Sequence, residues 1–344
     1  MWARRTRGGL RYALPMEFTS IAGTSVSRIG LGTWAIGGLD WGTVPDGQAV
    51  ATILGALTCG INLIDTAPIY GKGRAEELIG KAMREHGRRD AFYIATKGGL
   101  DWDVGEPGVF ANSTRPRLRR ELEDSLRRLG TDSIDLYQVH WPDLEVPVAE
   151  TAGLLAEFKR EGKVGALGVS NYNVAQMEEF KSVAPLASNL PPYNLFERDI
   201  DAEILPWCER NRVAVLTYSS LCRSLLGGRL THGMTFPEGD IRTADPKFQE
   251  PRFTQYLNAV DRLSAFAKEQ FGKSVLELAV RWVLDRPGVS VALWGAKRPD
   301  QLEAVNGTLG WKLDESAMTE IDRIVAESVT DPVGPEYLTP QRRR

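Results

Sequence analysis

Ile61-Asn62-Leu63-Ile64-Asp65-Thr66-Ala67-Pro68-Ile69-Tyr70-Gly71 is the stretch whose reading decides the fold. It begins as a short buried strand, breaks at Asp65, and runs out through Thr66, Ala67 and Pro68 to Tyr70. Gly71-Lys72-Gly73 then lead into a charged helix. Packing gives no reason to place a carboxylate at the end of an apolar strand with a phenol on the outgoing loop. The stretch reads as strand, reactive loop, helix.

The same rhythm recurs outward from it. Short apolar runs at 28–32, 61–64, 91–95, 134–139, 164–169, 185–188, 213–216 and 289–293 have the near-continuous hydrophobicity of strands buried on both faces. That pattern implies a parallel sheet. Helical patterns lie between them. Asp46 is placed to cap one running to Cys59, and Glu76-Glu77 put negative charge into the first turn of the next, up to His86. Ser113 or Thr114 caps a helix over 115–129, with Pro116 in its first turn and Gly130 at its end. Further helices are predicted near 148–161, 174–181, 201–211, 275–285 and 299–307.

This α/β alternation predicts a (β/α)₈ TIM barrel over 16–330, with an N-terminal β-hairpin turning at Ala22-Gly23-Thr24 and a tail over 331–344. A doubly wound open sheet is the alternative, but no G-x-G-x-x-G follows the first strand. Two long loops interrupt the repeat. One spans 98–113 and carries Trp102 and Phe110; the other spans 218–251 and precedes an extra helix near 253–271. Both leave the C-terminal ends of strands, where barrels build their sites, so both are expected to wall one.

Composition narrows the function. With 344 residues and a net charge of −3, the chain has no global field to draw in nucleic acid or an anionic membrane, and no apolar run spans a bilayer. Cys59, Cys208 and Cys222 are odd in number and far apart, which argues against a disulfide framework and for a cytoplasmic setting. His86, His140 and His232 lack the spacing of a metal site, which also counts against a metal-dependent hydrolase. Residues 1–15 contain an Arg4-Arg5 pair with no apolar core behind it, so they read as a disordered leader with the functional start at Met16.

The residue after each strand carries the chemistry. Strand one leads to Thr33-Trp34, strand two to Asp65, and strand three to Thr96-Lys97. Strand four leads to His140, strand five to Ser170-Asn171, strand seven to Thr217-Tyr218-Ser219, and strand eight to Trp294-Gly295. In a barrel these all lie on one rim. Asp65 and Lys97 alone would suit a simple ion pair, and His140 alone a satisfied core histidine. With Tyr70 added, the set suits proton delivery to a carbonyl oxygen. A free phenol has a pKa of about 10, and a nearby ammonium held by a carboxylate is expected to lower it. A histidine can orient the carbonyl. None of the four is a hydride source, so a reduction needs a cofactor.

At this point the sequence resembles the aldo-keto reductase superfamily. The resemblance lies in Asp65-Thr66-Ala67-Pro68-Ile69-Tyr70-Gly71, Thr96-Lys97, Val139-His140, Val169-Ser170-Asn171 and Gly30-Leu31-Gly32-Thr33-Trp34, in order from about Phe18 onward. It implies a barrel oxidoreductase using NADP(H) to interconvert small aldehydes or ketones and alcohols. By resemblance Tyr70 is the general acid, Asp65 and Lys97 tune it, and His140 orients the carbonyl. Thr33, Trp34, Ser170, Asn171, Tyr218, Ser219, Leu221, Arg223 and Arg229 fall where the family meets its cofactor. Gly295, Lys297, Arg298 and Gln301 match the adenosine-phosphate end, where basic side chains at a helix start suit a 2′-phosphate. Trp34, Trp102 and Trp141 would wall the substrate site. Asn194-Leu195-Phe196-Glu197-Arg198 and Leu221-Cys222-Arg223-Ser224-Leu225-Leu226 resemble a bacterial subgroup acting on small aldehydes and polyols. Leu190 departs from the pattern: the family typically has Gln there, as a third contact to the nicotinamide carboxamide. The alternative reading is a nucleotide-binding regulatory subunit of the same fold. The expected partners are a small carbonyl compound and the cofactor, with no nucleic acid and no membrane.

Overall fold

Eight parallel strands close into a barrel in the computed structural model, which describes residues 16–102 and 108–343. The expected leader, 1–15, lies outside the described residues. Around the barrel run β3 (Ile29–Gly32), β4 (Leu63–Asp65), β5 (Tyr93–Gly98), β8 (Ile134–Val139), β9 (Val164–Ser170), β10 (Ser188–Leu190), β11 (Ala214–Thr217) and β12 (Val289–Gly295), which closes on β3. Ahead of it β1 (Phe18–Ile21) and β2 (Thr24–Ser27) form the predicted hairpin.

Alternation along each strand builds two cores. Inward positions include Leu63, Tyr93, Ala95, Leu136, Ala166, Leu190, Leu216, Val291 and Leu293, and Ile21 and Val26 of the hairpin join this cluster to plug one end. Outward positions such as Ile29, Leu31, Ile64, Ile94 and Val169 meet the helices. Those helices are α2 (Asp46–Thr58), α3 (Arg74–His86), α4 (Arg115–Leu129), α5 (Val148–Arg160), α6 (Val174–Val183), α7 (Ile204–Asn211) and α9 (Val275–Asp285). Caps fix two of them: Asn173 with Gln176 at α6, and Ser274 with Glu277 at α9, each a reciprocal capping box.

Several boundaries differ from the sequence reading. Pro45, not Asp46, is the N-cap of α2, and Asp46 instead pairs with Arg74 at 2.6 Å. Thr114 occupies the N-cap of α4 without a side-chain cap bond. The third barrel strand starts at Tyr93 because Arg89–Ala91 form a tight 3-10 turn, and it runs on through Lys97. The sixth strand is Ser188–Leu190 rather than 185–188. The helix expected over 299–307 divides into a 3-10 turn, Pro299–Leu302, and a short α10, Val305–Thr308.

The additions lie at the strand ends. A short α1 (Trp34–Gly37) follows β3, and β6 (Leu100–Asp101) pairs with β7 (Phe110–Ala111) in the loop after β5. The extra α8 (Arg252–Phe271) follows the long 218–251 loop and packs on α11 (Glu315–Ser328), a helix the sequence reading passed over. Among the described residues no helix is long and apolar enough to cross a membrane.

Candidate active site

Barrel closure carries β4, β5 and β8 side by side, so their ends deliver Asp65, Lys97 and His140 to one place. The loop after β4 brings Tyr70. Its path is held by a close backbone approach: Gly71 has φ of 65°, and a Cβ there would lie 2.3 Å from the Gly37 carbonyl oxygen. Only glycine fits that crossing.

Lys97 is the hub. Its Nζ donates to Asp65 Oδ1 at 2.7 Å, Asp65 Oδ2 at 2.9 Å and the Thr66 carbonyl at 3.0 Å. It also lies 3.4 Å from Tyr70 Oη. Thr33 Oγ1 donates to the Asp65 carbonyl at 2.9 Å, fixing the backbone beneath the carboxylate. The His140 ring stands edge-on to Tyr70 with centroids 5.8 Å apart. Trp34 stacks on the other side of Tyr70 at 6.2 Å, and Trp41 meets Trp34 edge-on at 5.6 Å.

Burial dominates the electrostatics. It pushes the Asp65 carboxyl up and the Lys97 ammonium down, while each partner's charge pulls back toward ionisation. Burial, helped by the Asp65 charge, raises the Tyr70 phenol well above its usual value. This corrects the expectation that the ammonium lowers it. The Lys97 charge is already matched by Asp65, and the phenol, though it lines the groove, is packed between Trp34 and His140. Burial and the neighbouring Lys97 charge hold His140 well below the usual histidine range, so its imidazole is neutral.

A groove leads away from Tyr70. Trp34, Ala35, Trp41, Asp65, Tyr70, Tyr218, Ser219, Ser220, Leu221, Arg223, Ser224, Gly295, Ala296, Lys297 and Gln301 line it. At the Tyr218 end a hydrogen-bonded chain fixes the floor: Tyr218 Oη donates to Asn171 Oδ1 at 3.0 Å, and Asn171 Nδ2 donates to the His140 carbonyl at 3.0 Å. Ser170 Oγ donates to the Leu190 carbonyl at 2.7 Å. The Leu190 side chain points into the barrel core, where Tyr218 packs against the same cluster. Leu190 therefore enters the polar network only through its backbone. At Lys297 the backbone N–H donates to Gln301 Oε1 at 2.7 Å, and Nζ donates to the Trp41 carbonyl at 2.6 Å.

Not every expected residue arrives there. Arg229 is exposed and Arg298 pairs with Asp300 at 3.0 Å; neither lines the groove. Arg223 lines it, but its guanidinium is taken up by Glu197 and by Asp245 at 2.8 Å. Trp102 lies over Arg117, 5.0 Å from the guanidinium carbon, and Trp141 faces a second cavity beside Thr339–Arg343. Neither tryptophan lines the groove that Trp34 lines. Sequence reasoning missed Trp41, Ser220, Ser224 and Ala296. The first was detectable as a second tryptophan in the glycine-rich Trp34-to-Trp41 loop.

Comparison with known proteins places the chain in a family. The chain is 51% identical over 330 residues to aldo-keto reductase YhdN of Bacillus subtilis, covering 95% of this chain and 99% of that protein. It is 32% identical over 329 residues to the NADH-specific methylglyoxal reductase of Escherichia coli, covering 92% and 98%. The structure of glycerol dehydrogenase AKR11B4 from Gluconobacter oxydans superposes with a TM-score of 0.84 at 47% identity, covering 94% of this chain and 99% of that one. Residues 28–326 match the family model described as the aldo/keto reductase family, and the chain belongs to that family.

Proposed function

We propose that the protein reduces small aldehydes or ketones to alcohols, reversibly, with NADPH as hydride donor. One observation carries the reading: Lys97 Nζ reaches Asp65 and Tyr70 Oη together, beside a groove that Tyr70 itself lines. The groove suits an extended dinucleotide. Tyr218 offers an aromatic wall beside Asn171, a Cβ built on Gly295 would meet nothing within 4 Å, and Lys297 supplies a cation along the same wall.

A nicotinamide cofactor, when bound, supplies the hydride that none of these side chains can give. The chain's own residues handle the oxygen. A phenol is protonated at neutral pH, and the surroundings of Tyr70 push it further that way, so it has a proton to donate. As that proton leaves, the Lys97 ammonium is the adjacent charge that stabilises the phenolate, and Asp65 keeps the ammonium in place. Neutral His140, edge-on to Tyr70, presents a ring N–H to the substrate oxygen and orients it without competing as an acid. In the reverse direction the same phenolate accepts the alcohol proton.

A small polar substrate class is supported by the named activities of the relatives: one is a methylglyoxal reductase and one a glycerol dehydrogenase. Lys297 favours NADPH over NADH, because a phosphate oxygen outcompetes the Trp41 carbonyl for an ammonium. The test is initial-rate assay of the purified chain with methylglyoxal, glyceraldehyde and simple aldehydes, and with glycerol in reverse, using NADPH and NADH. Turnover at a higher kcat/KM with NADPH is expected. Binding of nucleotide without turnover of any carbonyl would instead favour a regulatory subunit, the reading that Leu190 permits.

A further inference from the structure

A second group of buried charges borders the groove at Arg223. Glu197, Arg223, Asp245 and Lys247 are exposed by only 4, 4, 0 and 0%. Arg223 bonds Glu197 through Nη2 and lies 2.8 Å from Asp245 Oδ2 through Nε. Lys247 Nζ lies 2.8 Å from Glu197 Oε1, 3.7 Å from Asp245 Oδ1, and donates to the Gly334 carbonyl at 2.9 Å. Two carboxylates and two cations close on one another. Three segments of chain meet there: the loop after β10, the long 218–251 loop after β11, which supplies Arg223, Asp245 and Lys247, and the segment after α11.

The loop after β11 is unusual in its backbone. Ser219, Cys222, Arg223 and Ser224 have φ of 58°, 45°, 52° and 72°, a left-handed conformation that side chains disfavour. Such a run persists only where the surroundings over-determine it. The ion cluster does so at both ends. Arg223 Nη1 donates to Ser219 Oγ at 3.0 Å, and Asn194, which donates to Glu197 Oε2 at 2.7 Å, also donates to the Ser219 carbonyl at 3.1 Å. The strained residues Ser219, Arg223 and Ser224 all line the groove.

We propose that Glu197, Arg223, Asp245 and Lys247 are positioning residues that hold the 218–224 segment in its nucleotide-receiving form before any nucleotide arrives. Arg223 lines the groove, but its guanidinium is turned to Glu197 and Asp245. The cluster converts buried charge pairing into a preshaped wall, so binding does not have to supply the ordering. Arg223, which by residue type looks like a phosphate contact, acts through Ser219 instead. The inference rests on reading the groove as a nicotinamide-dinucleotide site.

The decisive variant is Glu197→Gln with Lys247→Met, which removes one charge of each sign and leaves the Arg223–Asp245 pair intact. Dinucleotide affinity is read by quenching of tryptophan fluorescence, since Trp34 and Trp41 line the groove. Relative to the native chain, Kd for both NADPH and NADH should rise by about tenfold or more, with kcat at saturating nucleotide within about threefold. Adding Ser224→Gly should recover part of the lost affinity, because glycine adopts that φ without strain. A role in stability alone would lower the melting temperature and leave Kd within about twofold, which would overturn the proposal. If circular dichroism shows the double variant unfolded, Asp245→Asn gives the same reading: it keeps the shape, removes the carboxylate that faces Arg223 and Lys247, and lies outside the groove lining. A native chain that quenches with neither dinucleotide would remove the groove assignment itself.

Discussion

Two clusters of buried charge border one groove, through Asp65 and through Arg223, and they are put to different use. In the first, Asp65 and Lys97 neutralise each other but leave Lys97 Nζ 3.4 Å from a phenol that has no ionic partner of its own. In the second, Glu197, Arg223, Asp245 and Lys247 end on one another. The first cluster is open toward a group that can give up a proton; the second is closed and can only hold shape. Buried charge is costly in either place. What separates the two is where each lysine reaches beyond its carboxylates: Lys97 meets the groove-lining phenol of Tyr70, and Lys247 the backbone carbonyl of Gly334.

Breaking each cluster at its lysine sharpens that contrast. Lys97→Met should reduce kcat on the order of 10³-fold, because the phenolate loses its adjacent cation. It also strands Asp65, with a stability loss of about 3–5 kcal/mol measurable by urea unfolding. Lys247→Met should cost a comparable amount in the same unfolding experiment, yet leave kcat at saturating nucleotide nearly intact. Equal losses of kcat would erase the distinction between the clusters.

A smaller effect is expected along the groove. Lys297→Ala should weaken NADPH by about tenfold while leaving NADH unchanged, as loss of one charge-assisted contact to a phosphate implies. Parallel titration of the two cofactors checks it. Equal weakening of both would mean that Lys297 acts through its bond to the Trp41 carbonyl rather than through a phosphate.

The smallest effect is on pH dependence. Burial depresses His140 in the folded chain, whereas an unfolded histidine titrates near about 6.5. Below that pH the unfolded chain binds the extra proton, so stability falls as pH drops from about 6.5 toward the folded value. His140→Gln should flatten this part of the melting-temperature profile. An unchanged slope between about pH 6.5 and 5 would show that other groups set it.

The barrel and its first cluster were legible in sequence for one reason. Asp65, Lys97 and His140 each follow an apolar run, and barrel topology converts that local address into proximity. The upward direction at Tyr70 was not legible, because it depends on the packing around the phenol and on the Asp65 charge beside it. The second cluster was hidden as well. Glu197, Asp245 and Lys247 come from loops with no common period, and Arg223 sits in the segment where a cofactor contact was expected. Trp102 and Trp141 were placed by loop membership alone, which gives no side-chain direction. The α11 helix did carry a signal: Asp314 caps it through the Ala317 N–H at 2.8 Å, and Ala317, Ile321 and Ile324 form its buried face.

The central claim is that Tyr70 supplies the proton in a nucleotide-dependent carbonyl reduction. Tyr70→Phe tests it most directly, with kcat for the best aldehyde and Kd for NADPH measured on the same preparation. The account expects kcat to fall on the order of 10³–10⁴-fold while Kd stays within about twofold of the native value. Turnover retained at close to the native rate, with nucleotide still bound, would contradict it.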